Sequence, residues 1–160
     1  MTDTIATAVP RYFEDYIAGT TQEFGSIVVE QAEVLSFAQR YDPQTFHTNP
    51  EAAKESIYGG LIASGWHTAS LMMRMVVDHY LASSSSLGSP GFDELRWLKP
   101  VRPGDTLSIR ATILESTRSR SKPDRGLVRT LIEVLNQDRE VVMSLKAMNL
   151  IRCRSLPAQS

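Results

Sequence analysis

The chain has 160 residues, a formal net charge of −1, and ordinary apolar (42%) and charged (22%) fractions. That length suits one globular unit with a single core and leaves two independent domains cramped. A near-zero charge gives no global field to draw in nucleic acid or an anionic membrane, so a small molecule is the expected partner and any anionic ligand has to be met by a local cluster. Met1–Pro10 lacks the basic start and continuous apolar segment of a secretory signal, and no stretch is apolar enough to span a bilayer. Cys153 is the only cysteine, which excludes an internal disulfide and a thiolate-rich metal site. A reducing cytoplasm is the expected location.

In chain order, Phe24, Ile27, Val28 and Val29 suggest a first strand over 21–29, after a turn at Ala18-Gly19-Thr20. Val34, Leu35, Ala38 and Tyr41 recur at helical spacing over 31–41, and Pro43 stops that helix, leaving Asp42 at its end. The irregular segment 43–60 holds a short helix over 50–55 with Pro50 at its first position. Loops of this length are uncommon unless functional.

From Gly60 the spacing predicts a long helix to about Ala82, with Ile62, Trp66, Ala69, Met73, Val76 and Tyr80 on one face. Leu61, Leu71, Met72 and Met75 add apolar surface on other sides, so most of it is expected to be buried. The tract Ser83–Ser86 and Gly88-Ser89-Pro90-Gly91 break the helix, and the period then changes to two. Strands are predicted over 92–98 and 106–116, then a hairpin of 127–135 and 141–151 around Asn136-Gln137-Asp138-Arg139. Strand, short helix, long buried helix and four strands imply an α+β fold, an antiparallel sheet wrapped around one central helix. One sheet face covers the helix; the other meets water or a second subunit, which favours a homodimer.

The chemistry concentrates in Tyr41–His47 and Tyr58–Gly65. A loop can bring Asp42 and His47 to one cleft, where a bridging water would let the carboxylate take a proton while the imidazole orients the water or passes a proton on. The plainer alternative makes Asp42 a turn residue and His47 a partly buried loop residue. Gly59 and Gly60 open the predicted helix, whose unpaired N–H groups and positive dipole end suit a developing oxyanion; alternatively they form an ordinary turn. Thr68 can present its hydroxyl to the same cleft, two turns into the helix. His67 reads as a satisfied core or interface residue. The scattered histidines do not favour a metal site, and Ser64 lacks the setting of a hydrolase nucleophile. Arg118, Arg120, Lys122 and Arg125 form a basic run between two strands, either a solvated loop or a grip for phosphates.

Together these segments resemble the MaoC-like family of single hotdog domains, which includes (R)-specific enoyl-CoA hydratases. Tyr12-Phe13-Glu14-Asp15 with Gly19 looks like the family's opening, Phe37-Ala38 with Asp42 and His47 like its catalytic segment, and Gly60-Leu61 like its oxyanion turn. Lys99–Leu107 looks like its sheet motif and Ser119–Gly126 like a loop frequent among its members. The chain departs from the pattern in carrying Tyr41 before Asp42, Gln44-Thr45 between the dyad residues, and Gly59 where a histidine is common. The resemblance implies one hotdog domain over 1–160, with its core over about 10–153, acting on a CoA thioester substrate and needing no cofactor or metal. A trans-2-enoyl-CoA would place its carbonyl on the Gly60 N–H while water held by Asp42 and His47 adds to C3. Gly59, Trp66, Thr68, Arg120 and Lys122 are the expected substrate-binding residues, Thr68 taking the place of a serine near the aspartate. An apolar cleft is expected to raise the Asp42 pKa by desolvation. A homodimer or dimer of dimers is expected, with neither nucleic acid nor membrane as partner. The competing readings are a hotdog acyl-CoA thioesterase and a non-catalytic acyl-CoA-binding subunit.

Overall fold

Alternating burial in the second half of the chain builds the sheet. The computed structural model describes residues 11–156, so Met1–Pro10 lies outside the described residues. A short 3-10 turn, Phe13–Asp15, precedes β1 (Thr21–Val28), α1 (Gln31–Tyr41), α2 (Thr45–Thr48), α3 (Pro50–Lys54) and α4 (Gly65–His79). Then follow β2 (Gly91–Trp97), β3 (Thr106–Arg118), β4 (Arg125–Leu135) and β5 (Val141–Arg152). The strands form one sheet in the order β1-β3-β4-β5-β2, antiparallel throughout. It does not close, so β1 and β2 are its edges. With α4 as its longest helix, this is the expected hotdog architecture. No helix among the described residues is long and apolar enough to cross a membrane.

Every second residue of β3 and β4 turns inward: Leu107, Ile109, Ala111 and Ile113 on one, Val128, Thr130, Ile132 and Val134 on the other. All but Thr130 join Leu71, Met72, Met75 and Val76 of α4 in one apolar cluster, each fully buried Val, Leu, Ile or Met contributing roughly 1.5–3 kcal/mol. Two tyrosine hydroxyls inside this core find partners there. The Tyr80 hydroxyl bonds Thr130 Oγ1 at 2.9 Å, and Tyr16 donates to the Tyr80 carbonyl at 2.7 Å. Burial pushes the Tyr16 phenol up to about 12.

Three expectations need correction. The long helix begins at Gly65, not Gly60, because Leu61–Ser64 is extended: Ile62 N–H bonds the Phe46 carbonyl at 3.1 Å and Ala63 N–H the Val101 carbonyl at 2.8 Å. Its buried stripe runs through His67, Thr68, Leu71, Met72, Met75 and Val76, whereas Trp66, Met73 and Val77 are exposed in this chain. The segment after Pro43 also contains α2, which carries His47 and puts it among the buried residues.

The sheet meets α4 closely at β1. Its register slips between Phe24 and Ile27, and Gly25 there takes φ +80°, with the position of a Cβ only 2.7 Å from Met75 Sδ. Gly25→Ala therefore combines a left-handed backbone with a clash in the core. It is expected to cost about 2–4 kcal/mol, read as a lower denaturation midpoint with unchanged slope in urea.

Candidate active site

Three segments converge on Asp42. Pro43 ends α1, so Asp42 becomes its C-cap, with its N–H on the Ala38 carbonyl at 2.9 Å. The turn that follows folds Gln44 back, and its Nε2 donates to Asp42 Oδ1 at 2.8 Å. From the third segment, the Ser64 hydroxyl donates to Asp42 Oδ2 at 2.7 Å. The same Ser64 oxygen accepts the Trp66 N–H at 3.3 Å, which makes it the N-cap of α4.

His47 faces the carboxylate from α2, with Nε2 3.4 Å from Asp42 Oδ2 and both side chains largely buried. Its Nδ1 lies 2.8 Å from the Ile62 carbonyl oxygen. A carbonyl can only accept, so Nδ1 carries the hydrogen. In the neutral imidazole, Nε2 then presents a lone pair to the carboxylate. Two acceptors at this separation are reconciled by a water that donates one hydrogen to each, or by protonation of the ring.

The dyad opens on a cleft of about 480 Å³, lined by Phe46, Tyr58, Gly65, Trp66, Thr68 and Trp97 among others. Gly65, beside the Ser64 that bonds Asp42, is the first residue of α4, and among the described residues its N–H donates to no protein atom. It is an unpaired donor at the positive end of a helix, suited to a polarised carbonyl oxygen. Trp97 Nε1 donates to the Gly65 carbonyl at 3.0 Å, and a Cβ at position 65 would lie 2.3 Å from the Trp97 ring. Glycine alone fits under that indole.

The expected residues divide accordingly. Asp42, His47, Trp66 and Thr68 line the cleft. Gly59 and Gly60 lie in the turn and bend before the extended segment, Gly60 beside Arg102, and neither lines the cleft. The helix-start donor moves from Gly60 to Gly65 because Ser64 provides the cap. Thr68 sits in the first turn, not the second, and its hydroxyl turns back to the Ser64 carbonyl at 3.5 Å; Ser64 is the hydroxyl that meets the aspartate. Arg120 and Lys122 lie at the β3–β4 tip, where Gly126 pairs with Ile151, whereas Trp97 of the cleft pairs with Met143. Those rows of β5 are about 26 Å apart at roughly 3.3 Å per residue, so these cations do not reach this chain's cleft. Ser64, Gln44, Gly65, Trp97 and the cleft-lining Lys99, which pairs with Glu140, were missed. A serine before a glycine within an apolar run was the available signal for the cap.

The sequence matches the family model of the MaoC like domain over residues 14–134. The chain belongs to the MaoC-like family. Among solved structures, this MaoC-like chain is 39% identical to the MaoC-like dehydratase from Rhodospirillum rubrum, with a TM-score of 0.84 over 91% of this chain and 99% of that one. It is 30% identical to nodulation protein N of Rhizobium meliloti over 125 residues, 74% of this chain and 78% of that protein. An R-hydratase from Pseudomonas aeruginosa shares the fold at 20% identity and a TM-score of 0.69, covering 93% and 95% of the two chains.

The electrostatics of this MaoC-like cleft correct one further expectation. Burial pushes the Asp42 carboxyl up, but hydrogen bonds from Ser64 and Gln44, with the nearby His47, outweigh it and hold the group below its ordinary value of 3.8. Asp42 is therefore a carboxylate throughout the neutral range. A carboxyl lowered by folding adds stability above its unfolded value, and that stability is lost as pH falls through the folded one. Ser64→Ala should raise the Asp42 titration midpoint, followed by carboxyl 13C shifts. It should also destabilise the fold more at pH 7 than at pH 2; an equal loss at both would contradict the assignment.

Proposed function

We propose that this MaoC-like chain is an (R)-specific enoyl-CoA hydratase, adding water reversibly to a trans-2-enoyl thioester. The observation that carries the reading is the His47 tautomer: with Nδ1 committed to the Ile62 carbonyl, Nε2 faces Asp42 Oδ2 across 3.4 Å. That gap suits a water oriented by two acceptors, with its oxygen lone pairs free for attack. Membership of a dehydratase family and the R-hydratase fold neighbour support the same chemistry.

In this mechanism the thioester carbonyl accepts the Gly65 N–H, which draws electron density from C3. As the water oxygen bonds to C3, its proton passes to His47 Nε2 and the C2=C3 π pair moves into the enolate. Asp42, held as a carboxylate by its hydrogen bonds to Ser64 and Gln44, orients the water and balances the imidazolium. His47 then returns the proton to C2, giving the 3-hydroxyacyl thioester. General acid-base help of this kind is typically about 10²–10⁴-fold, and an oxyanion donor about 10²–10³-fold. The acyl tail continues past Trp66 into a second cavity of about 480 Å³, lined by Met72, Met73, Val76, Leu145 and Ala147 among others, since Trp66 borders both spaces. The substrate serves as its own thioester handle, and no cofactor enters the scheme.

The same reading includes a homodimer. β2 is an open edge, and Phe92, Trp97 and Leu98 lie exposed with Trp66, Met73 and Val77 of α4. Such an apolar edge favours a self-complementary contact. Light scattering should give twice the chain mass at micromolar concentration; a monomer there would remove this part.

Wild-type protein given a trans-2-enoyl-CoA should consume the conjugated-enoyl absorbance and yield a 3-hydroxyacyl-CoA. Asp42→Asn and His47→Ala should each lower kcat by about 10²–10⁴-fold. No consumption at any chain length would end the hydratase reading, and CoA release from a saturated acyl-CoA would put the thioesterase in its place.

A further inference from the structure

His67 and Glu33 lie outside the cleft lining, yet they join the two helices that supply its chemistry. His67 occupies the first turn of α4 with only 2% of its surface exposed, and its Nε2 is 2.8 Å from Glu33 Oε1. Phe37, one turn along α1 from Glu33, stacks on the imidazole at 5.0 Å and 16°. The remaining ring nitrogen, Nδ1, is buried without a hydrogen-bond partner among the described residues. Burying such a nitrogen unpaired disfavours the folded state. An apolar side chain would fill the same space without that cost, so the distinctive contribution of the histidine is its Nε2 bond to Glu33.

That bond is the second tie between α1 and α4. The first is Ser64 Oγ to Asp42 Oδ2 at 2.7 Å, where the end of α1 meets the start of α4. Glu33 and Asp42 lie about 13 Å apart along α1 at roughly 1.5 Å per residue. The first tie fixes the distance where the two helices meet; the second, at this lever arm and beside the Phe37–His67 stack, adds to the packing that fixes the angle between them. The angle matters because Asp42 rides on α1 and the unpaired Gly65 N–H on α4.

We infer that Glu33 and His67 are positioning residues that hold the Gly65 N–H in the direction, relative to the Asp42 carboxylate, that the reacting thioester requires. The inference rests on the hydratase reading, with Gly65 as the carbonyl donor. Misplacement by about 1 Å can cost on the order of 10²-fold in rate without loss of binding. The pair touches no substrate atom; it acts through the two helices.

Three variants test it. His67→Leu keeps the volume and removes both the tie and the unpaired nitrogen. Glu33→Ala removes only the tie. Glu33→Gln keeps an amide oxygen to accept the Nε2 hydrogen. With a trans-2-enoyl-CoA, His67→Leu and Glu33→Ala should lose kcat by about tenfold or more, with KM within about threefold and thermal midpoints at or above wild type for His67→Leu, whereas Glu33→Gln stays near wild type. A merely structural histidine would lose stability and activity together. The same variants are read without turnover by the Gly65 amide and Asp42 carboxyl resonances, which should move in His67→Leu and Glu33→Ala and stay in place in Glu33→Gln. Unmoved resonances in all three, or kcat within twofold of wild type in His67→Leu and Glu33→Ala, overturn the inference. A wild type without turnover on any enoyl-CoA overturns the hydratase reading instead, and the resonances then decide the positioning role alone.

Discussion

One hydroxyl, that of Ser64, settles where α4 begins and where the Asp42 carboxylate points. It accepts the Trp66 N–H and donates to Asp42 Oδ2, so the start of the helix and the charge beside it depend on the same atom. The extended residues that deliver Ser64 are held on either side, by the Phe46 carbonyl through Ile62 and by the Val101 carbonyl through Ala63. Ile62 returns the contact by accepting from His47 Nδ1. The acid-base pair, the free N–H and the cleft wall thus share one short piece of backbone. Hydrogen bonds linked in this way reinforce and rigidify one another.

Much of the fold could be read from the sequence because its punctuation is strong. Pro43 and Pro50 set the end of α1 and the start of α3, and period-two burial marked β3, β4 and β5 to within a few residues. The start of α4 was misplaced because Leu61, Ile62 and Ala63 continue its helical spacing, and an apolar run looks alike whether helical or extended. What decides the matter is Ser64, and its partner Asp42 is distant in sequence. Gly59-Gly60 drew the helix start toward itself while serving only the bend before it.

The remaining differences also concern distant partners. Asp42 and His47 were found because both stand in one motif. The lowered carboxyl came from Ser64 and Gln44, groups whose approach composition cannot show; a mostly apolar lining had suggested the opposite sign. Arg120 and Lys122 were assigned to substrate binding by their charge and by the resemblance of their loop. Antiparallel connectivity argues against it: the segment 97–101 lies before β3 and the basic tip after it, so a long strand separates them.

The strand order carries a consequence for how the chain folds. β2 finds its neighbour in β5, the last strand of the sequence, and β1 pairs with β3 across the whole helical segment. The helices that bear the cleft are therefore made before the surface they rest on. Long-range pairing of this kind slows folding, and loop-closure entropy must be overcome before the distant contacts form. Until the last hairpin is in place, the core-facing stripe of α4, Leu71, Met72, Met75 and Val76, lacks much of the sheet that buries it.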